Sequence, residues 1–371
     1  MSTKLNRFLA LSAIGVAVLA GNAHAAYSNL VVFGDSISDT GNVLSLTKFG
    51  AQPPFPSFPS SPGRFSDGIV WTEYLATGLG LPFGAVPANL LYAGAPGVIH
   101  TQPQGGTNFA YGGARTGLGG SAGATTGLIG QLFNWNGTAF ASSLSRAADP
   151  DALYVVVAGA NDLRDIRSNG SLDAAGRATA SAGVAQNVVN TVGLLAQAGA
   201  RHFMISSLPD LGKTPEAVGL GLVSKSTEVT LSFNAALSAY SNGLDAQFFG
   251  LTGQDLDIRT LDFYGLVERV TADATTGGHV YGITNTTVPC ITPGAFSGQY
   301  YFADATGSNC AVSAFSDPLH PSNKSHQLLG ALAITTANAP IAAIPEPSSM
   351  AMLAMGLMVI GGAVRRARAA A

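Results

Sequence analysis

The stretch LVVFGDSISDTGN at residues 30–42 decides the fold class when it is set beside ALYVVVAGAND at residues 152–162. Each begins with a short apolar run that ends at a glycine. An apolar run without polar alternation is typical of a strand that is buried on both faces of a sheet. Polar residues follow each glycine, so each stretch predicts a buried strand that ends in a polar turn.

Two further strands are predicted, at residues 202–207, where Pro209 ends the strand, and at residues 256–261. Spaced apolar residues predict helices between and after the strands, with Gly199 as one stop signal and Ser322 as one N-cap. The predicted helices cover residues 69–79, 180–198, 227–248, 263–271 and 322–335. Strands that alternate with long helices predict an α/β fold with a mostly parallel sheet that is covered on both faces.

Two segments predict loops. Residues 52–62 are rich in proline and are incompatible with regular structure. Residues 112–127 are rich in glycine, alanine, serine and threonine, and they predict a surface loop or, alternatively, a flexible lid.

The overall composition narrows the possible partners. Charged residues make up 11% of the 371 residues, the formal net charge is -3, and no stretch is densely basic. Nucleic acid is therefore not an expected partner, because binding it requires a basic footprint. Two cysteines are too few for a disulfide-rich scaffold or a four-cysteine zinc site. The mean hydropathy of +0.29 raises the question of membrane segments, and part of that hydrophobicity lies at the two ends.

Residues 1–25 have the pattern of a secretory signal peptide. Lys4 and Arg7 precede an apolar run at residues 8–20, and Ala23-His24-Ala25 provides a small-x-small cleavage pattern. The mature chain would begin near Ala26, in an oxidising compartment. The alternative is an N-terminal membrane anchor, for which the apolar run is short.

The other end carries Pro345-Glu346-Pro347, an uncharged apolar segment at residues 350–364, and three arginines within residues 365–368. This order resembles the PEP-CTERM sorting signal of Gram-negative bacteria. The resemblance implies recognition and removal by an exosortase, often in a host that produces exopolysaccharide. The alternative is a plain C-terminal anchor whose arginines stay on the cytoplasmic side. Membrane contact is expected only through the two terminal signals.

Five of the 18 basic residues lie in these two segments. Without them, the domain expected at residues 26–340 has a net charge of about -7 to -8. Such a charge suits an acidic exported protein.

Polar residues gather where the predicted strands end, which is where α/β sheets place their functional groups. Ser36 follows the first strand, and at a helix N-terminus its hydroxyl and its N–H could both face a substrate. Asn161 follows the second strand and could donate its amide to an oxyanion. The segments considered are FGDSISDTGN at 33–42, TNFAYGGAR at 107–115, AGANDL at 158–163 and FSDPLHPS at 315–322.

Each segment also has a simpler structural interpretation. Ser36 could merely cap the next helix, Gly112 could belong to an ordinary turn, and Asn161 could close an Asx turn. A single histidine is more often structural than catalytic, but His320 follows Asp317 by three residues between flanking prolines. Asp317 could therefore orient His320 to take a serine proton. His202, which opens a predicted strand, is expected to be structural.

Together the four segments resemble the GDSL, or SGNH, family of serine hydrolases over about residues 27–336. The four hallmark residues of that family map onto Ser36, Gly112, Asn161 and His320, and Asp317 completes the triad. Gly113 is the alternative donor of the glycine N–H, although the family pattern favours Gly112. Further similarity lies in PGRFSDG at 62–68 with Trp71, and in SLPDLGKTP at 207–215. Ile37 stands where the family name has leucine, which is a conservative apolar exchange.

The resemblance implies a flavodoxin-like three-layer α/β/α sandwich and a mechanism. His320, held by Asp317, would deprotonate Ser36 for attack on an ester carbonyl. The N–H groups of Ser36 and Gly112 and the side chain of Asn161 would hold the oxyanion, and water would release the acid from the acyl-enzyme. Neither a metal nor an organic cofactor is implied. The serine lacks a Gly-x-Ser-x-Gly frame, which disfavours the α/β-hydrolase fold.

Cys290 and Cys310 are expected to form a disulfide, because the chain is expected to be exported. The bond would brace the loop that carries Asp317 and His320; two free thiols are the alternative.

Three functions follow from the sequence. The first is an exported esterase or lipase that acts on acyl esters. The second is an acyltransferase or a polysaccharide O-deacetylase that uses the same residues. The third is a non-catalytic surface or matrix protein, against which the complete set of polar residues argues.

Overall fold

Four parallel strands in the order β1-β2-β3-β4 form the central sheet of the computed structural model. The strands are Leu30–Gly34 (β1), Leu153–Val157 (β2), His202–Ser206 (β3) and Asp257–Leu261 (β4). The structure describes residues 27–47, 55–56, 60–88, 105–137, 144–293, 302–303 and 309–340. The predicted terminal signals and most of residues 52–59 lie outside these ranges.

Nine α-helices lie within the described residues. They are Asn42–Thr47 (α1), Trp71–Leu79 (α2), Leu128–Asn136 (α3), Ala160–Ser168 (α4), Ala174–Gln197 (α5), Pro215–Gly219 (α6), Val223–Thr252 (α7), Phe263–Ala274 (α8) and Asn323–Asn338 (α9). A short antiparallel pair joins Thr292–Pro293 (β5) to Phe302–Ala303 (β6). None of these helices has both the length and the apolar composition that a bilayer crossing requires.

Strands β1 and β2 bury both of their faces. Phe33 and Val156 point to one side, where they pack with residues of α3, α5 and α7. Val32 and Val155 point to the other side, where they pack with residues of α2, α8 and α9. Because successive side chains of a strand alternate between faces, two apolar cores require runs without polar interruption. The predicted α/β sandwich with a parallel sheet is therefore confirmed.

A fifth extended segment lies along β1 outside the named strands. Val32 donates to Thr107 O at 3.0 Å, Phe109 donates back to Val32 O at 2.7 Å, and Tyr111 donates to Gly34 O at 3.2 Å. These bonds guide the chain to Gly112 at the carboxyl end of β1. An ordinary turn therefore describes only part of this stretch. The residues before Gly112 pair with β1, and the turn begins after them.

Residues 112–127 form a surface loop that is folded on itself. Ser121 donates to Gly113 O at 2.9 Å, and Gly127 donates to Leu118 O at 2.9 Å. Four of its 16 residues are exposed and six are buried, so one side of the loop lies at the surface and the other packs against the domain.

The four strands agree with their predicted positions to within one residue at each end. The five predicted helices are all present, and the N–H of Ser325 donates to the Ser322 hydroxyl at 3.2 Å as expected for a cap. Helices α1, α3, α4 and α6 were not predicted. Only two residues separate helix α4 from β2, and the helix is largely polar, so its sequence carries little apolar periodicity. Helix α3 contains Gly130, and glycine has a low helix propensity. Close packing requires glycine there, because a Cβ would come within 2.1 Å of Thr125 O.

Candidate active site

Ser36 lies in the turn that follows β1, and its side chain is nearly buried at 6% exposure. It does not cap α1. The cap is Asp39, whose carboxylate accepts hydrogen bonds from the N–H groups of Gly41, Asn42 and Val43 at 2.7 to 3.2 Å. The Ser36 hydroxyl is thus available for another contact, and its oxygen lies 2.8 Å from Nε2 of His320.

His320 is held by the turn that precedes α9. Its Nδ1 lies 2.6 Å from Oδ2 of Asp317, and its backbone N–H donates to Oδ1 of the same carboxylate at 2.7 Å. The N–H of Ser316 donates to the carbonyl of His320 at 2.8 Å and closes the turn. With the Nδ1 proton directed at Asp317, Nε2 is the acceptor that faces the Ser36 hydroxyl.

The environment of Asp317 keeps its carboxyl ionised. Burial alone would raise its pKa, but the charge of His320 and the hydrogen bonds from His320 and Leu319 outweigh burial. The net effect places the pKa of Asp317 below its ordinary value. A fixed negative charge therefore lies behind the imidazole, where it stabilises the imidazolium.

Gly112 lies close to this group but its N–H is already engaged. The N–H donates to Oδ2 of Asp39 at 2.9 Å. A Cβ at Gly112 would come within 2.2 Å of the Phe65 ring, which in turn packs against His320 with 5.2 Å between ring centroids. Close packing therefore requires glycine here, whether or not its N–H binds a substrate.

Asn161 lies in the first turn of α4 at 7% exposure. Its Nδ2 donates to Ala114 O at 3.0 Å, and its Oδ1 accepts from Nη1 of Arg164 at 3.2 Å. A primary amide has two N–H bonds, so one remains beyond that to Ala114. Among the residues that the structure describes, the side chain of Asn161 makes no Asx-turn hydrogen bond, so that alternative is not realised.

An apolar cavity of about 280 Å³ opens beside Ser36, Asn161 and His320. Its walls come from the loop after β3, from α6, α8 and α9, and from the turn that carries His320. The apolar lining residues are Ile37, Ala160, Leu208, Pro209, Leu211, Val218, Phe263, Leu266, Val267, Val270, Ala314, Phe315, Leu319, Pro321, Leu328 and Leu329. Such a lining favours a hydrocarbon chain over a hydrated ligand.

Asp35 also borders the cavity and is 2% exposed. Its Oδ1 accepts from Ile37 N at 3.2 Å, while Oδ2 is buried without a hydrogen-bond partner among the described residues. Burial raises its pKa to about 6. Burial likewise raises the pKa of Asp39 to about 6, although four N–H groups bond to that carboxylate.

Two other histidines bind residues of the fold rather than Ser36. His202 lies 3.0 Å from Asp257 at the base of the sheet, which agrees with its expected structural role. His326 is fully buried, and burial lowers its pKa to about 3. Its Nδ1 accepts from Trp71 N at 3.2 Å, so it joins α9 to α2.

Cys290 and Cys310 form a disulfide. The segment on one side of it is tied to the histidine turn, because Cys290 donates to Phe315 O at 3.0 Å and Ile291 donates to Ser316 O at 2.8 Å. The disulfide therefore lies directly next to the residues that precede Asp317.

Residues 30–333 match the model of the GDSL-like lipase/acylhydrolase family. The chain belongs to the GDSL-like lipase/acylhydrolase family. Residues 343–367 separately match the PEP-CTERM protein-sorting motif. That motif indicates export and association with the envelope or surface of Gram-negative bacteria.

Several curated proteins resemble this GDSL-family chain. It is 26% identical to a thermolabile hemolysin of Vibrio parahaemolyticus over 84% of its own length and 64% of the relative. It is 28% identical to a phosphatidylcholine-sterol acyltransferase of Aeromonas hydrophila over 61% of its length and 58% of the relative. It is 30% identical to esterase EstA of Pseudomonas aeruginosa over 57% of its length and 33% of the relative. The chain thus spans between a third and two thirds of the length of these relatives.

Sequence reasoning did not identify three charged residues of this GDSL-family site. Asp39 joins the serine turn to Gly112, while Arg164 and Glu216 join Asn161 to α6. Asp39 follows Ser36 by three residues, and its position just before a short helix could have marked it as an N-cap. Glu216 lies 52 residues from Arg164, and no local sequence pattern pairs them.

Proposed function

We propose that this chain is an exported carboxylic ester hydrolase in which Ser36 is the nucleophile, His320 the general base and Asp317 its orienting partner. One observation carries the proposal: the Ser36 hydroxyl lies 2.8 Å from His320 Nε2, and His320 Nδ1 lies 2.6 Å from Asp317, beside an apolar cavity. A hydroxyl, an imidazole and a buried carboxylate in this order can activate a serine for acyl transfer.

In the acylation half-reaction, Ser36 Oγ forms a bond to the ester carbonyl carbon while its proton passes to Nε2 of His320. The tetrahedral intermediate then expels the alcohol, which takes that proton from His320. In the second half-reaction, a water gives a proton to His320 and attacks the acyl-enzyme, and Ser36 leaves with that proton as the acid departs. Asp317 remains ionised throughout.

The oxyanion would be held by the N–H groups of Ser36 and Gly112 and by the side chain of Asn161. Each such donor contributes about 3 kcal/mol to lowering the barrier. Gly112 can serve only if its N–H is shared with, or released by, the carboxylate of Asp39. Asn161 retains an N–H bond beyond the one to Ala114.

The cavity favours esters with an apolar acyl group over acetyl esters of glycans. A hydrocarbon chain that fills it would leave water at about 25 cal/mol per Å² of apolar area. An acetyl group would leave most of the apolar wall without contacts, so an O-deacetylase gains nothing from it.

Hydrolysis of p-nitrophenyl acetate, butyrate and palmitate by the wild type and by Ser36→Ala tests the proposal. Ser36→Ala should lose nearly all activity on each ester, while circular dichroism shows the fold unchanged. Ser224→Ala, at the exposed start of α7, is the matched serine control and should keep the wild-type rate. Equal rates for Ser36→Ala and the wild type would refute the serine mechanism.

A second candidate is acyl transfer to an alcohol other than water. Its support is the similarity to the Aeromonas protein, which by its name is an acyltransferase of phosphatidylcholine and sterol. The same acyl-enzyme would then be attacked by an alcohol. Addition of a sterol or a short alcohol to the esterase assay separates the two, because a transferase forms a new ester at the expense of free acid.

We further propose that residues 1–25 are a signal peptide, that residues 26–340 are the mature hydrolase domain, and that an exosortase-type enzyme processes residues 341–371. The sorting motif at residues 343–367 supports the last step. Intact-mass measurement of the exported protein tests all three boundaries. A mass that retains the apolar segment at residues 350–364 would instead indicate anchoring.

A further inference from the structure

A chain of hydrogen bonds joins Asn161 to the turn that carries His320. It begins on α4, where Nη1 of Arg164 donates to Oδ1 of Asn161 at 3.2 Å. Nε and Nη2 of Arg164 both donate to the carboxylate of Glu216 on α6, the first at 2.9 Å. The backbone N–H of Glu216 then donates to Pro318 O at 2.8 Å, between Asp317 and His320.

We propose that Arg164 is a positioning residue that fixes which end of the Asn161 amide faces the substrate; this inference rests on the proposed function. An amide can rotate so that its oxygen and its nitrogen exchange places. A rotated Asn161 would direct a lone pair at the developing oxyanion and destabilise it. The guanidinium of Arg164 can only donate, so it accepts the amide in one orientation alone.

Two contacts select the same orientation of Asn161. Ala114 O can only accept and binds Nδ2 at 3.0 Å, while Arg164 can only donate and binds Oδ1. The remaining N–H of Nδ2 is thereby held for the cavity that Asn161, Ser36 and His320 share. Within the part of the chain that the structure describes, removal of Arg164 leaves the Asn161 amide with the single bond to Ala114 O.

Glu216 makes the guanidinium a rigid donor. Its carboxylate receives Arg164 in a two-pronged contact and also binds Arg167, whose side chain is 1% exposed. Burial would raise the pKa of Glu216, but the two guanidinium groups outweigh burial and lower it. Because Arg167 still pairs with Glu216 when Arg164 is replaced, no buried charge loses its last partner, and the fold should survive.

The test is a double-mutant cycle of Arg164→Met and Asn161→Ala, with kcat and KM measured on p-nitrophenyl butyrate. Arg164→Met should lower kcat about tenfold with KM nearly unchanged, which is less than the roughly 10²- to 10³-fold loss when an oxyanion donor is removed. In the Asn161→Ala background the same replacement should change kcat less than about twofold, because no amide is left to orient. Arg164→Lys should recover part of the loss, since a lysine can still donate to Oδ1.

Arg177→Met is the matched control, because Arg177 makes the same two-pronged contact with Glu228 between α5 and α7. It should leave kcat unchanged. The inference is overturned if Arg164→Met lowers kcat equally with and without Asn161, or not at all, in a protein whose Ser36→Ala variant is inactive. Activity that persists in Ser36→Ala would overturn the proposed function itself, and the two failures are thus distinct.

Discussion

The N–H of Gly112 donates to Oδ2 of Asp39 at 2.9 Å, across 73 positions of sequence. The same carboxylate caps α1 through the N–H groups of Gly41, Asn42 and Val43. Asp39 therefore fixes the turn of Ser36 and the segment of Gly112 to each other. Hydrogen bonds to a charged acceptor contribute about 1.5 to 3 kcal/mol each, so this link is a strong one.

Replacement of Gly112 by alanine should destabilise the fold by about 1 to 3 kcal/mol, because its Cβ would overlap Phe65 at 2.2 Å. Phe65→Leu removes the ring atoms that would collide. The double variant should therefore be more stable than the sum of the two single changes predicts, by about 1 to 2 kcal/mol. Urea unfolding of the four proteins measures this coupling.

Gly183→Ala provides the matched control for that cycle, since Gly183 lies inside α5 with open space around it. It should raise stability by about 0.5 to 1 kcal/mol through helix propensity. Strict additivity between Gly112→Ala and Phe65→Leu would mean that the ring does not impose glycine at residue 112.

Asp317→Asn should lower kcat on p-nitrophenyl butyrate by about 10²- to 10⁴-fold, because a neutral amide neither stabilises the imidazolium nor fixes the tautomer of His320. The folded-state pKa of Asp317 lies below its ordinary value. Its ionised form therefore stabilises the fold above the unfolded-state pKa, and this contribution is lost as the pH falls through the folded-state pKa. In Asp317→Asn, the Tm measured by calorimetry should accordingly fall less steeply with decreasing pH than in the wild type. An unaltered rate in Asp317→Asn would assign the role to another carboxylate.

The four strands and the pairing of Asp317 with His320 could be predicted because their signals are local. Strands β1 and β2 are buried on both faces and are therefore continuous apolar runs, and Asp317 and His320 are only three positions apart. The link from Arg164 to Glu216 could not be predicted, because it forms only when α6 is brought to α4. Helix α4 itself was missed because polar residues such as Asp162 and Asp165 bind the loop at residues 115–116, which leaves few apolar positions.

Asp35→Asn should stabilise the protein at pH 8 by up to about 3 kcal/mol, or roughly 4 °C in Tm. The reason is that burial raises the pKa of Asp35 from 3.8 to about 6. As the pH rises, the unfolded chain releases the Asp35 proton at a lower pH than the folded chain does. The free energy of unfolding of the wild type therefore falls between about pH 4 and pH 6, and the Asp35 contribution stays constant above that range.

The advantage of Asp35→Asn should nearly vanish at about pH 4, where both folded proteins are neutral at this position. Calorimetric scans between that pH and pH 8 measure the difference between the two. Asp255→Asn, on the exposed loop before β4, is the matched control for the same exchange at an aspartate that is not buried. A pH-independent difference between Asp35→Asn and the wild type would show that the buried carboxyl does not titrate in this range.

The disulfide between Cys290 and Cys310 should stabilise both the fold and the turn that carries the proposed base. Replacement of both cysteines by serine removes a cross-link that closes a loop with a sequence separation of 20, which costs about 3 kcal/mol. Because Cys290 and Ile291 donate to Phe315 and Ser316, the loosened segment should also disturb Asp317 and lower kcat severalfold. A reducing agent should have the same effects on the wild type and none on the double serine variant. If the variant melts earlier but keeps the wild-type kcat at room temperature, the bond stabilises the chain without positioning the histidine turn.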